Sequence, residues 1–101
     1  MARPTARPVL NAAKEIGDQV TTWRKLLGLT AEQVAERAGI SRETLRRIEH
    51  GDPGVNFAAV LSVSRGLGLL DRIVTATDPY ETDLGRARAD QALPQRVRRS
   101  G

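Results

Sequence analysis

The stretch Thr30 to Gly51, TAEQVAERAGISRETLRRIEHG, decides the fold. It reads as two short helices joined by a tight turn. Thr30 is placed to cap the first, and Gln33 three residues later completes a capping box. Val34, Ala35 and Ala38 give that helix a small apolar side. Gly39 stands where the helix must stop, a position that favours the left-handed conformation glycine adopts freely. Ser41 is placed to cap the second helix. Much of the pattern is steric: small Ala35 and Ala38 let two helices cross closely.

The second helix indicates what the unit presents. At about 100° per residue, Leu45 and Ile48 fall on one side and must be buried. Glu43, Arg47 and His50 fall opposite, Arg46 flanks them, and Arg42 projects from the first turn. Arginine can bond bidentately to guanine, and glutamate can accept from cytosine N4. Such a face suits the major groove of DNA. The alternative is a solvated charged face on an ordinary helical hairpin, and the turn pattern ahead of the charges weighs against it.

Residues 16 to 51 resemble the Xre/Cro/C1-type helix-turn-helix family, which includes the phage repressors, down to the closing Ile48-Glu49-His50-Gly51. The resemblance implies an all-α, five-helix, lambda-repressor-like DNA-binding domain that usually meets a double-stranded DNA operator as a homodimer. By matching positions it puts Arg42, Glu43 and Arg47 at base edges, and Thr30, Gln33, Ser41, Thr44 and Arg46 near the DNA backbone. It also implies a structural ion pair between Arg24 in the first helix and Glu49. Both lie at the edge of an apolar stripe, which supports a partly buried pair. The short Gly51-Asp52-Pro53-Gly54 connection departs from the family pattern and reads as turn chemistry.

Composition narrows the chemistry. The chain has 101 residues, enough for one domain with a tail. Aromatics make up only 3%, so the core must be aliphatic. With no cysteine, a disulfide framework and thiolate metal sites are excluded. One histidine leaves a zinc site or a nucleophilic triad almost without ligands. Glu36, Glu43 and Glu49 lack a matching acid, nucleophile or metal set, so neither enzymatic chemistry nor a cofactor is expected. The net charge of +4 favours a polyanionic partner. All 16 basic side chains except Lys14 and Lys25 are arginines, the better fork for phosphate and guanine. No apolar run approaches ~18 residues, so no membrane span is expected. MARPTARPVLNAA lacks the apolar stretch of a signal peptide. The expectation is a soluble, cytoplasmic protein.

Outward from the central stretch, residues 1–10 read as a flexible basic leader or an arm that follows DNA. Residues 11–77 read as the helix-turn-helix domain. Asn11 is a plausible cap for its first helix, and Ile16, Val20, Trp23 and Leu27 mark that helix's buried side. Gly28 ends it. Asn56 is placed to cap a fourth helix in which Phe57, Val60, Leu61 and Ser64 follow helical spacing. Gly66 and Gly68 break the chain. Leu69, Leu70, Ile73 and Val74 then make a short fifth helix expected to close over the core. The surplus of apolar residues between 55 and 74 favours a homodimer contact. Residues 78–101 read as a polar and basic tail, partly disordered or partner-binding. Within it, Asp83 to Ala92 could form one polar helical stretch, and Gln95-Arg96-Val97-Arg98-Arg99 is a basic terminus.

A second, narrower resemblance is to HipB-like antitoxins. It is carried by GDPGV (51–55), the Leu67-Gly68-Leu69-Leu70 entry to the fifth helix, and LPQRVRR (93–99). That subgroup implies a HipA-like kinase toxin as partner and repression of the protein's own operon. A stand-alone or phage-type regulator remains the other reading.

Overall fold

The computed structural model describes residues 3–92, and the Leu93-Pro94 stop, the LPQRVRR motif and the basic terminus lie outside them. The described residues are all-helical, with six α-helices, one 3-10 turn and no strand. They divide after Leu70 into two compact units, taken in turn.

The first unit is built on α1 (Arg7–Leu26). This helix starts four residues before the expected cap at Asn11. Ala6 is the cap residue, without a side-chain bond, and proline occupies the first turn. Pro8 is the second residue of the helix rather than lying ahead of it. Its fixed φ suits a first turn, where its missing N–H costs nothing.

Next come α2 (Ala31–Ala38), α3 (Arg42–Glu49) and α4 (Phe57–Gly66), each with a side-chain cap where the sequence puts one. Thr30 Oγ1 accepts from the Gln33 amide at 3.1 Å, and Gln33 Oε1 accepts from the Thr30 amide at 2.9 Å. Ser41 Oγ accepts from the Thr44 amide at 3.0 Å, and Asn56 Oδ1 from the Ala59 amide at 3.0 Å. Gly39 ends α2 at φ 70°. Each cap satisfies an N–H the helix leaves unpaired, worth ~1 kcal/mol.

The core of this unit is Val20, Val34, Ala35, Leu45, Ile48, Ala59, Val63 and Leu67, with Trp23, Leu29, Ile40, Val60 and Leu69 packed against it. α1 crosses α3, and α2 crosses α4. Two expected stripes are rotated. On α1 the buried residues are Gly17 and Val20, while Ile16 and Leu27 are about half exposed. On α4 the buried residues are Ala59, Val63 and Ser64, while Phe57 is 72% exposed. On α1 the crossing with α3 is made at Gly17, and hydropathy gives a glycine little weight. The hydroxyl of buried Ser64 donates to the Val60 carbonyl at 2.9 Å, so it carries no unpaired polar group.

The second unit holds α5 (Leu70–Ala76), a 3-10 turn (Pro79–Glu81) and α6 (Asp83–Ala92). α5 buries no residue. Of the apolar residues expected around this helix, Leu69 packs against the core beside buried Leu67, ahead of the helix, and Val74 is exposed. Asp78 caps the 3-10 turn by accepting from the Tyr80 amide at 2.9 Å. Thr82 Oγ1 donates to the Pro79 carbonyl at 2.7 Å and accepts from the Gly85 amide at 2.9 Å. These bonds start α6 at Asp83, where the polar helical stretch was expected.

Candidate nucleic-acid interface

Leu45 and Ile48 are 1% and 5% exposed, and they set the roll of α3. Full burial of each contributes roughly 1.5–3 kcal/mol, so the helix cannot turn over without large loss. With that side inward, Arg42, Glu43, Arg46 and His50 are exposed, and Arg47 and Thr44 are half-buried. Leu29 and the Thr30 cap bring the first turn of α2 into the same unit, and pocket-lining Ala31 shares a shallow cleft with Arg24, Arg42, Glu43 and Arg46.

The position of α3 is held from behind by α1. Arg24 Nε donates to Glu49 Oε2 at 2.8 Å, and Nη2 to Oε1 at 3.2 Å. Both side chains are mostly withdrawn from solvent. Hydrogen bonding to Glu49, set against desolvation, raises the Arg24 pKa further. Arg24 Nη1 also donates to the Leu29 carbonyl at 3.4 Å, so one guanidinium ties α1 to α3 and to the turn before α2.

On the outer face the charges are arranged in pairs. Arg46 donates to both oxygens of Glu43, at 3.0 and 2.9 Å. That hydrogen bond is the main reason the Glu43 carboxyl sits below its ordinary pKa. Such an exposed pair is worth little, so an incoming base or phosphate can displace it. Arg47 Nε donates to Asp52 Oδ2 at 2.7 Å. Among the described residues, the Arg42 side chain makes no hydrogen bond or ion pair. His50 Nδ1 lies 2.8 Å from the Arg46 carbonyl.

The groups expected near a DNA backbone cluster at two helix starts. The Ser41 hydroxyl donates to Thr44 Oγ1 at 2.9 Å. Gln33 uses its carbonyl oxygen in the capping box, which leaves its amide NH2 for another acceptor. The structure thus brings Thr30 and Gln33 together at α2, and Ser41, Arg42, Glu43, Thr44, Arg46 and Arg47 together on α3. Two contributors escaped the sequence reading. Gly17 lets α1 touch α3, and Asp52 grips Arg47. An acid directly after the closing Gly51 was the available signal for the second.

A helix-turn-helix domain family matches residues 15–76, more than half of the chain. The chain belongs to this family. An uncharacterized HTH-type transcriptional regulator of Methanothermobacter thermautotrophicus (strain Delta H) is 40% identical over 45 residues, covering 45% of this chain. The chain spans 65% of that relative's length. No solved structure matches the chain. Among the described residues, no helix is long and apolar enough to cross a membrane.

Proposed function

We propose that the helix-turn-helix domain binds a double-stranded DNA operator and represses transcription by occupying it, without catalytic chemistry. The observation that carries this reading is the roll of α3: its apolar side is sealed by Leu45 and Ile48, and its arginine side faces solvent. In the proposed complex α3 lies in the major groove. Arg42, Glu43 and Arg47 read base edges, and Thr30, Gln33, Ser41, Thr44 and Arg46 meet the backbone. The start of α2, at the positive end of its helix dipole, suits a phosphate.

A homodimer would place two such helices on half-sites one helical turn apart, about 34 Å. Support comes from an open apolar groove of about 490 Å³, lined by Val9, Ala13, Ile16, Val55, Phe57 and Val60. Phe57 stands exposed at this groove. The HipB-like antitoxin reading is retained beside that of a stand-alone regulator. It draws on the second unit, where a capped α6 extends past the family match and leaves Tyr80 and Leu84 exposed. Co-expression with a kinase-like protein encoded beside it separates the two readings: a stable complex favours the antitoxin, and full operator binding with no complex favours the stand-alone regulator.

The test of DNA reading is a titration of the full chain on duplexes enriched from a randomised pool, at about 50 and 200 mM salt. Enrichment of one sequence, with affinity falling steeply as salt rises, is the expected result. Binding that is absent, or indifferent to sequence, overturns it.

A further inference from the structure

The loop after α3 does more than turn the chain. Gly51, at φ +79°, reverses the backbone so that Asp52 returns alongside the last turn of α3. The Asp52 amide donates to the Arg47 carbonyl at 2.9 Å. Its carboxylate is then divided between two partners. Oδ1 accepts from the Gly54 amide at 2.8 Å, and Oδ2 accepts from Arg47 Nε at 2.7 Å. Asp52 is therefore fixed at its backbone and at both oxygens, and Pro53 stiffens the loop between the two ends.

We infer that Asp52 is a positioning and specificity-determining residue: it aims the Arg47 guanidinium at one base, on the reading that α3 enters the DNA major groove. The division of contacts is what allows this. The carboxylate takes only Nε, and no other hydrogen bond reaches the guanidinium among the described residues. Both Nη groups, the end-on fork that matches O6 and N7 of guanine, are left for the base. A long side chain that is already held loses less freedom on binding.

Charge sharpens the effect. Asp52 offsets the positive charge of Arg47, so the pair attracts phosphates of any sequence less than a lone arginine would. Its hydrogen-bonding fork is untouched. Non-specific affinity comes from charge, whereas discrimination comes from the fork. Asp52 thus widens the gap between right and wrong sequences.

Asp52→Asn tests this, because an asparagine keeps an oxygen for the Gly54 amide but cannot hold Arg47 as an anion. Wild type, Asp52→Asn, Arg47→Ala and the double variant are titrated on the enriched duplex, on the duplexes carrying each single base change, and on an unrelated duplex. Trp23 fluorescence melts show that each variant is folded. Asp52→Asn is expected to lower the specific-to-unrelated affinity ratio about tenfold. It should relax preference at the base position that Arg47→Ala relaxes, and at no other. In the Arg47→Ala background it should leave base preference unchanged. A uniform rise in affinity for all duplexes would make Asp52 a mere competing charge and overturn the inference. A uniform fall would make it a loop-stabilising residue and overturn it equally. A wild-type chain that does not discriminate among duplexes removes the proposed function itself, whereas a discriminating wild type with an indifferent Asp52→Asn removes only this inference.

Discussion

Gly17 lies directly against the end of α3: a Cβ on Gly17 would sit 2.5 Å from the carbonyl oxygen of Ile48 and 2.8 Å from that of Glu49. Both obstacles are backbone atoms, so no rotamer change relieves the overlap. α1 and α3 are close because one of them has no side chain at the crossing. The same contact sets how far α3 stands from α1.

Gly17→Ala therefore has a sign that tests the packing. In an exposed helix interior the change would stabilise by about 0.5–1 kcal/mol. Here it is expected to destabilise by ~1–3 kcal/mol, in the range of overpacked cores. Urea unfolding followed by the single tryptophan, Trp23, measures it. A midpoint at or above that of the parent would show that α1 does not approach α3 this closely.

The Arg24–Glu49 pair behaves differently from a surface ion pair. Replacing Arg24 by Met leaves Glu49 mostly buried without its partner, at a cost of about 2–4 kcal/mol, at or somewhat below the range for fully buried pairs. Replacing Glu49 by Leu as well removes the stranded charge. The double variant is expected to recover much of the loss, because two charges no longer need desolvation. A double variant as unstable as the sum of the singles in urea would contradict this account.

Acid should weaken the α3–α4 loop through Asp52. The Gly54 amide and, next, Arg47 hold its carboxyl below the ordinary aspartate range. A carboxyl depressed in the folded state stabilises fully above the unfolded pKa of about 4 and loses that contribution as pH falls through the lower folded value. Thermal midpoints are thus expected to fall below about pH 4, less steeply in Asp52→Asn. Between pH 5 and 8 Asp52 adds no slope. Parallel acid limbs in the two proteins would mean the Asp52 bonds do not persist in solution.

The turn between α2 and α3 was legible because caps and stops are local: Thr30 with Gln33, Ser41 with Thr44, and Gly39 each act within one turn of chain. The roll of α3 was legible because Leu45 and Ile48 are large. The buried sides of α1 and α4 were legible only in part: Val20 and Ser64 were on the expected sides, whereas Gly17, which matters through the space it leaves, and Ala59 and Val63 were not. The Arg47–Asp52 bond depends on the chain reversing at Gly51. That glycine is required twice over, by its positive φ and because a Cβ would lie 2.6 Å from Lys14 Cα. Helical periodicity carries no trace of a contact made across such a reversal.

Phe57 offers a test of pairing that the fold itself should survive. It is 72% exposed, so Phe57→Ser removes little buried area from the single chain and should change its stability by no more than ~0.5 kcal/mol. If two copies meet through the groove that Phe57 lines, the variant loses the apolar contact between them. Sedimentation is then expected to shift from dimer to monomer at the same concentration. Binding to a duplex with two half-sites should weaken by up to ~10²-fold, since the second half-site is no longer met by an already tethered partner. Binding to a single half-site should stay at the wild-type level, because α3 and its support by α1 are untouched. A Phe57→Ser protein that sediments and binds the two-half-site duplex like wild type would show that copies do not pair through this groove.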